Sequence, residues 1–228
     1  PAAHWLMCII ALAGHQRTRR TLLRSVTDLC EGKPERLASW LADARWYVVR
    51  NAVIVVGSTE GGAAPELFRP LVGHPEPRVR EEVVAALAHM PPDKARPLLL
   101  DLIRDPEPVI RSAALHQLGT RRNAEAAAAL LGMVLDPGFR KRPIEEMRSV
   151  LAALGGCGGE EALPDLEKQL GAPHRFGGGE GPYCQAIARC IARIGTPAAL
   201  AILERGAASR TGATRDACRL VLKGMNRG

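Results

Sequence analysis

The chain has 228 residues, 46% of them apolar but only 4% aromatic, and a formal net charge of +7 from 31 basic and 24 acidic side chains. No stretch reaches the roughly 18–20 apolar residues needed to cross a membrane as a helix. The charge permits an acidic partner (nucleic acid, an anionic membrane face or an acidic protein) without demanding one. Six cysteines, at 8, 30, 157, 184, 190 and 218, are scattered among apolar helix residues with no CxxC pair. That pattern predicts buried free thiols in a reducing cytosol rather than disulfides or zinc ligands, and hence a cytoplasmic protein.

Taken in order, the chain reads as helix pairs marked off by turn signals. Ala2–Ala13 is apolar nearly all round, too short to span a membrane, and without the basic leader of a signal peptide. It pairs with Arg17–Glu31, where Leu22, Leu23, Val26 and Leu29 share one face, closed by Gly32. Pro34–Leu41 pairs with Arg45–Val56, closed by Gly57, and Ala63–Val72 with Pro77–His89. Lys94–Arg104 pairs with Pro108–Leu118, closed by Gly119, and Ala124–Leu135 with Pro143–Leu154, closed by Gly155-Gly156. Glu160–Leu170 pairs with Pro182–Ile194, closed by Gly195, and Pro197–Ala208 with Thr211–Lys223. The chain begins with Pro rather than Met, which suggests a segment processed or excised from a longer protein.

The turns recur at a fixed interval. Asp43, His74, Asp105 and Asp136 are each 31 residues apart, and such a period is the signature of a repeat architecture. Asp after a first helix is placed to cap the second, Pro suits the second helix's start, and Gly suits its end. Neither helix of a pair can bury its apolar stripe alone, so stacking the pairs buries a continuous ribbon. The expected fold is all-α, a right-handed α-solenoid of about seven antiparallel pairs. It is expected as one array over 1–228, with pairs near 1–32, 33–58, 62–91, 93–121, 123–158, 160–195 and 196–228.

A turn Asp followed six or seven positions later by Arg after Val or Ile recurs as Asp43 with Val49-Arg50 and Asp105 with Ile110-Arg111. His74 with Val79-Arg80 repeats it with the Asp replaced. This resembles the HEAT-repeat family, within the armadillo/HEAT-like solenoids, and in particular the bacterial HEAT-like repeats also found in phycobilisome lyases. The resemblance is strong over residues 34–120 and degenerate but in phase elsewhere. It implies a structural ladder between neighbouring repeats in which Asp43 and Asp105 meet Arg50, Arg80 and Arg111. The fifth repeat departs from the pattern, its Arg148 lying twelve residues after Asp136. The sixth places neither residue clearly.

The breaks in the repeat are the candidate sites. Two consecutive intra-repeat turns carry insertions, Gly138–Pro143 and Ala172–Pro182. Equivalent turns of adjacent repeats share one edge of a solenoid, and insertions there often mark a binding face. Together they offer Arg140, Lys141, Arg142, His174 and Arg175, with Phe139 and Phe176 between them. Cations mixed with aromatics suit phosphate contacts with stacking, and suit an acidic peptide equally well. The plainer reading is two tolerated surface loops.

Other constellations fail. The His-Glu pairs with which HEAT-type hydroxylases of the deoxyhypusine class hold iron are absent, and the six His show no ligand spacing. The run Gly177–Gly181 lacks the Lys-Ser/Thr and the preceding strand of a phosphate-binding loop. No cofactor is expected. The leading expectation is a non-catalytic scaffold or regulatory module binding a protein partner, with the second helices as the accepting surface. The alternative is a nucleic-acid-binding protein related to the HEAT-like alkylpurine DNA glycosylases. A bilin lyase or chaperone is a third reading, carried only by the repeat subtype.

Overall fold

The computed structural model describes residues 9–10, 16–30, 38–58, 65–172 and 180–225. Helices and turns account for them, and no strand occurs among the described residues. The fold class is all-α, a stack of short helices of the α-solenoid kind. The helices gather into two compact units, residues 1–114 and 115–228.

The first unit contains α1 (Gln16–Cys30), α2 (Ala38–Leu41), α3 (Trp46–Ser58), α4 (Pro77–Leu87) and α5 (Pro92–Leu102). Helix α6 (Pro108–Leu118) begins in it and runs into the second. Helix α3 packs against α1, α2 and α4. Its buried positions recur one repeat later: Val48, Val79 and Ile110 are buried, as are Ala52, Val83 and Ala114. These are the apolar stripes that an isolated pair would leave in water. The expected helix Ala63–Val72 is not one. It is two short 3-10 turns, Pro65–Leu67 and Arg69–Leu71, around the fully buried Phe68. The cause is Pro70, which has no N–H for the Glu66 carbonyl and whose ring would collide with it in an α-helix.

The second unit holds α7 (Ala124–Leu135), α8 (Ile144–Cys157), α9 (Leu163–Gly171), α10 (Glu180–Ile194), α11 (Pro197–Ala207) and α12 (Gly212–Met225). The second helices of its pairs pack in sequence, α8 on α10 and α10 on α12, while α9 packs on α11. Gly155 and Gly156 do not end α8, which runs through both to Cys157. They are points of close approach. A Cβ on Gly155 would stand 2.7 Å from the Cys190 carbonyl oxygen, and one on Gly156 would run into the Gly119 carbonyl. Gly195 closes α10 as expected, with φ of 73°, a region that costs a glycine nothing.

Cys157, Cys184, Cys190 and Cys218 are buried free thiols. Burial pushes the thiols of Cys157 and Cys218 up to about 11, and raises that of Cys190 as well. The side chains of Cys8 and Cys30 lie outside the described residues.

Candidate interaction surfaces

The 31-residue ruler has a structural counterpart in one hydrogen bond. Asp43 accepts from the Arg45 N–H at 2.9 Å, Asp105 from Glu107 at 2.8 Å and Asp136 from Gly138 at 2.7 Å. His74 takes the same place through Nδ1, accepting from the Glu76 N–H at 3.0 Å. These side chains close the turn rather than cap the helix after it, a correction to the expected role. A short acceptor bonding two residues onward is a turn device, and an imidazole nitrogen can stand in for a carboxylate there. Arg45 also forks onto Asp43, holding that carboxyl down at about 2.

The arginines of the turn motif behave unequally. Arg80 reaches back to the carbonyls of His74 and Pro75, at 2.7 and 3.3 Å. Its Nε and second nitrogen fork onto Asp105 at 2.6 and 2.9 Å, and both residues are buried. That bidentate bond and the attraction of Asp105 raise the Arg80 pKa despite its burial. Arg111 makes the same reach, to the carbonyls of Asp105 and Pro106 at 2.7 and 2.8 Å. Arg50 meets no turn carboxylate, because the next repeat offers His74. It lies 3.8 Å from Glu82 instead. Burial raises the Glu82 pKa, with Arg50 opposing. Asp43 is occupied by Arg45, not by Arg50. The forked rung that the ladder residues show in the first unit is Arg80 on Asp105.

An open cleft of about 430 Å³ lies over that rung, lined by Val72, His74, Arg80, Asp101, Arg104 and Asp105. Its floor is already satisfied, since Arg80 spends its donors on Asp105 and two carbonyls. The neighbouring row is more open. Tyr47, Arg78 and Val109 stand 31 residues apart, each just before a buried Val or Ile of its helix. Val109 is 65% exposed and Tyr47 38%, and the Arg78 side chain is 66% exposed. Trp46 links two of them: its ring meets Tyr47 edge-on at 5.9 Å, and the Arg78 guanidinium lies 5.3 Å over it. Such a cation–ring contact fixes both groups in place.

The inserted turn 138–143 is less free than its composition implies. Phe139 is fully buried and belongs to the core, so its ring cannot stack on a ligand. Arg140 donates to the Gln169 side chain at 2.9 Å and lies 4.9 Å over the Tyr183 ring. Arg142 pairs with Glu146 at 2.8 Å. Lys141 is exposed. His174, Arg175 and Phe176 lie outside the described residues.

Sequence reasoning missed Arg122. From the turn between pairs it donates to the carbonyls of Gly158 and Ile194, at the ends of α8 and α10. Arg193 lies 3.4 Å from the Gly119 carbonyl on the same edge, and the Asn123 N–H bonds the Cys157 carbonyl at 2.8 Å. These are helix-end carbonyls with no partner inside their own helix. The sole sequence signal was a basic doublet, Arg121-Arg122, in a turn.

The geometry defines a helical-repeat protein, and similarity in sequence agrees over its centre: residues 64–146 match the model of the HEAT repeats family. No curated protein matches the chain. Among solved structures it is similar to human deoxyhypusine hydroxylase in complex with glycerol (17% identity, TM-score 0.42, all of this chain and 96% of that one). It is also similar to an engineered protein (15%, 0.48, 97% and 68%) and to a designed armadillo repeat protein (16%, 0.37, 95% and 97%).

Proposed function

We propose that the protein is a non-catalytic interaction scaffold that binds a protein partner along the faces of its second helices. One observation carries this reading. A constant buried frame (Val48, Val79, Ile110) holds out a row that changes from repeat to repeat: Tyr47, Arg78, Val109. The exposure of Tyr47 and Val109 on that frame supports a contact surface there. The resemblance of the turn motif to that of phycobilisome lyases enters the proposal only as a repeat subtype, since activity does not follow from fold. The basic turn contributes through Lys141, the cation there with fewest internal ties.

The test is photo-crosslinking in an extract of the source organism. Benzoylphenylalanine replaces Tyr47 or Val109 in separate variants, with Leu200 on α11 as the control position. A discrete protein adduct at 47 and 109, weakened by Arg78→Glu and missing at 200, supports the scaffold. The same adducts at all three positions, or none at 47 and 109, would sink it.

A further inference from the structure

The second unit segregates its charge. Its first-helix segments 124–135, 160–171 and 197–207 carry six carboxylates against two cations. The exposed stripes of the second helices α10 and α12 carry Arg189 and Arg193, then Arg219 and Lys223. Each pair is spaced i, i+4, which brings like charges to about 6 Å and disfavours the helix. Several other arginines of this unit meet carboxylates: Arg148 with Glu145 at 2.7 Å, Arg142 with Glu146 at 2.8 Å, Arg205 with Glu167 at 2.7 Å. Arg215 has Asp216 at 3.5 Å. None of the four stripe cations pairs with a carboxylate among the described residues. Among the described residues, Arg193 hydrogen-bonds the Gly119 carbonyl and Arg219 the Ala207 carbonyl. The helix dipole favours Arg193 and Lys223, which fall in last turns, but Arg189 and Arg219 lie a turn earlier.

We infer that Arg189, Arg193, Arg219 and Lys223 form a docking surface for an acidic, partly apolar polypeptide segment. This rests on the scaffold reading above and names the chemistry of its partner. Helices α10 and α12 are in contact, which sets the axes that carry the two cation pairs about 10 Å apart. That spacing suits carboxylates alternating along an extended chain. Leu220, 52% exposed, follows Arg219 on α12 and offers an apolar contact beside the cations. Nucleic acid fits less well. The stripes present no described aromatic ring for base stacking, and four cations with an acidic face behind them match a duplex's dense phosphates poorly.

Fluorescence anisotropy of the full chain tests this with two probes at physiological salt. One is a fluorescein-labelled peptide of alternating glutamate and leucine, the other a labelled single-stranded oligonucleotide of equal charge. The peptide should bind, and R189E/R193E/R219E/K223E should weaken it by at least about tenfold. The neutral R189Q/R193Q/R219Q/K223Q guards against misfolding: it relieves the like-charge contacts, and should fold as well as wild type while binding more weakly. K168E/R205E, on the first helices, should bind as wild type does. An unbound peptide, equal binding by all variants, or an oligonucleotide bound more tightly and lost in the same variants each overturns the inference. If the crosslinks at 47 and 109 persist while the peptide fails, the acidic partner falls and the scaffold stands. Loss of both removes both.

Discussion

The two compact units bind their repeats together by different chemistry. In the first, a side chain holds a side chain, Arg80 forked on the buried Asp105. In the second, a side chain holds the backbone, Arg122 on the carbonyls of Gly158 and Ile194. The fork needs two matched residues at fixed positions, and it stands with both partners away from water. The clasp needs one arginine, because every helix end supplies carbonyls. The first device is therefore strong and exacting, the second weaker and tolerant of sequence. All three tryptophans precede residue 47, so their fluorescence reports the first unit. Thiol accessibility, in a C8A/C30A background, reports the second.

The sharpest way to break the contrast is Arg80→Met. It leaves the Asp105 carboxylate buried without its partner, a change that typically costs about 3–5 kcal/mol. Tryptophan fluorescence in urea should show the loss. Adding Asp105→Asn should recover much of it, because the uncompensated charge is then gone. A single variant as stable as wild type would mean that the fork holds nothing.

In the second unit the larger effect is steric. Gly156→Ala drives a methyl group into the Gly119 carbonyl, and neither backbone can give way independently. Overpacking of this kind costs about 1–3 kcal/mol. The buried thiols should react with a disulfide reagent at lower urea, while the tryptophan transition keeps its midpoint. Arg122→Ala follows. Charged hydrogen bonds contribute about 1.5–3 kcal/mol when buried, and partial exposure of this residue puts the loss nearer 1–2 kcal/mol. Lysine should rescue it only in part, since its single nitrogen must serve two carbonyls that separate guanidinium nitrogens reach. Full rescue by Arg122→Lys would reduce the clasp to a charge effect.

This difference also explains what the sequence could disclose. Arg80 and Asp105 stand at positions that recur, with Arg50 and Arg111 and with Asp43 and Asp136, so the repeat pattern found them. Arg122 recurs nowhere, because its partners are carbonyls that every residue has. The same asymmetry governs the misread elements. Gly155-Gly156 resembled a helix stop because glycine serves both as a stop and where backbones nearly touch; only the neighbours decide. Phe139, among Arg140, Lys141 and Arg142, resembled a stacking group, yet its ring fills the core. Pro70 is the residue that breaks the helix expected over 63–72. The cations of α10 and α12 were visible as residues, but that no described carboxylate meets them is a spatial fact.

A pH titration separates the units without mutation. The folded-state thiols of Cys157 and Cys218 are raised from 9.0 to about 11 by burial. A group whose folded pKa lies above its unfolded value contributes stability that is complete below the lower value. That contribution is lost as pH rises through the higher one, since the unfolded chain then releases protons first. The second unit should weaken between about pH 9 and 11, with the first unit changing less in that range. At the acid end the order reverses. Asp43, held at about 2 by Arg45, supports the first unit above its ordinary 3.8 and gives that support up as pH falls towards 2. Parallel loss by both probes at both extremes would contradict the assignment.

The smallest expected effect tests the inserted turn. Reversing Arg140, Lys141 and Arg142 together would confuse binding with folding, because Arg140 is tied to Gln169 and Arg142 to Glu146. Lys141→Glu changes charge at an exposed position. Its effect on stability should stay within about 0.5 kcal/mol, as for most surface substitutions. If the basic edge contributes to partner capture, the photo-adducts at 47 and 109 should form more slowly as salt falls, relative to wild type, because attraction has become repulsion on approach. Unchanged adduct kinetics at low salt would confine binding to the helix faces and leave 138–143 as a tolerated turn.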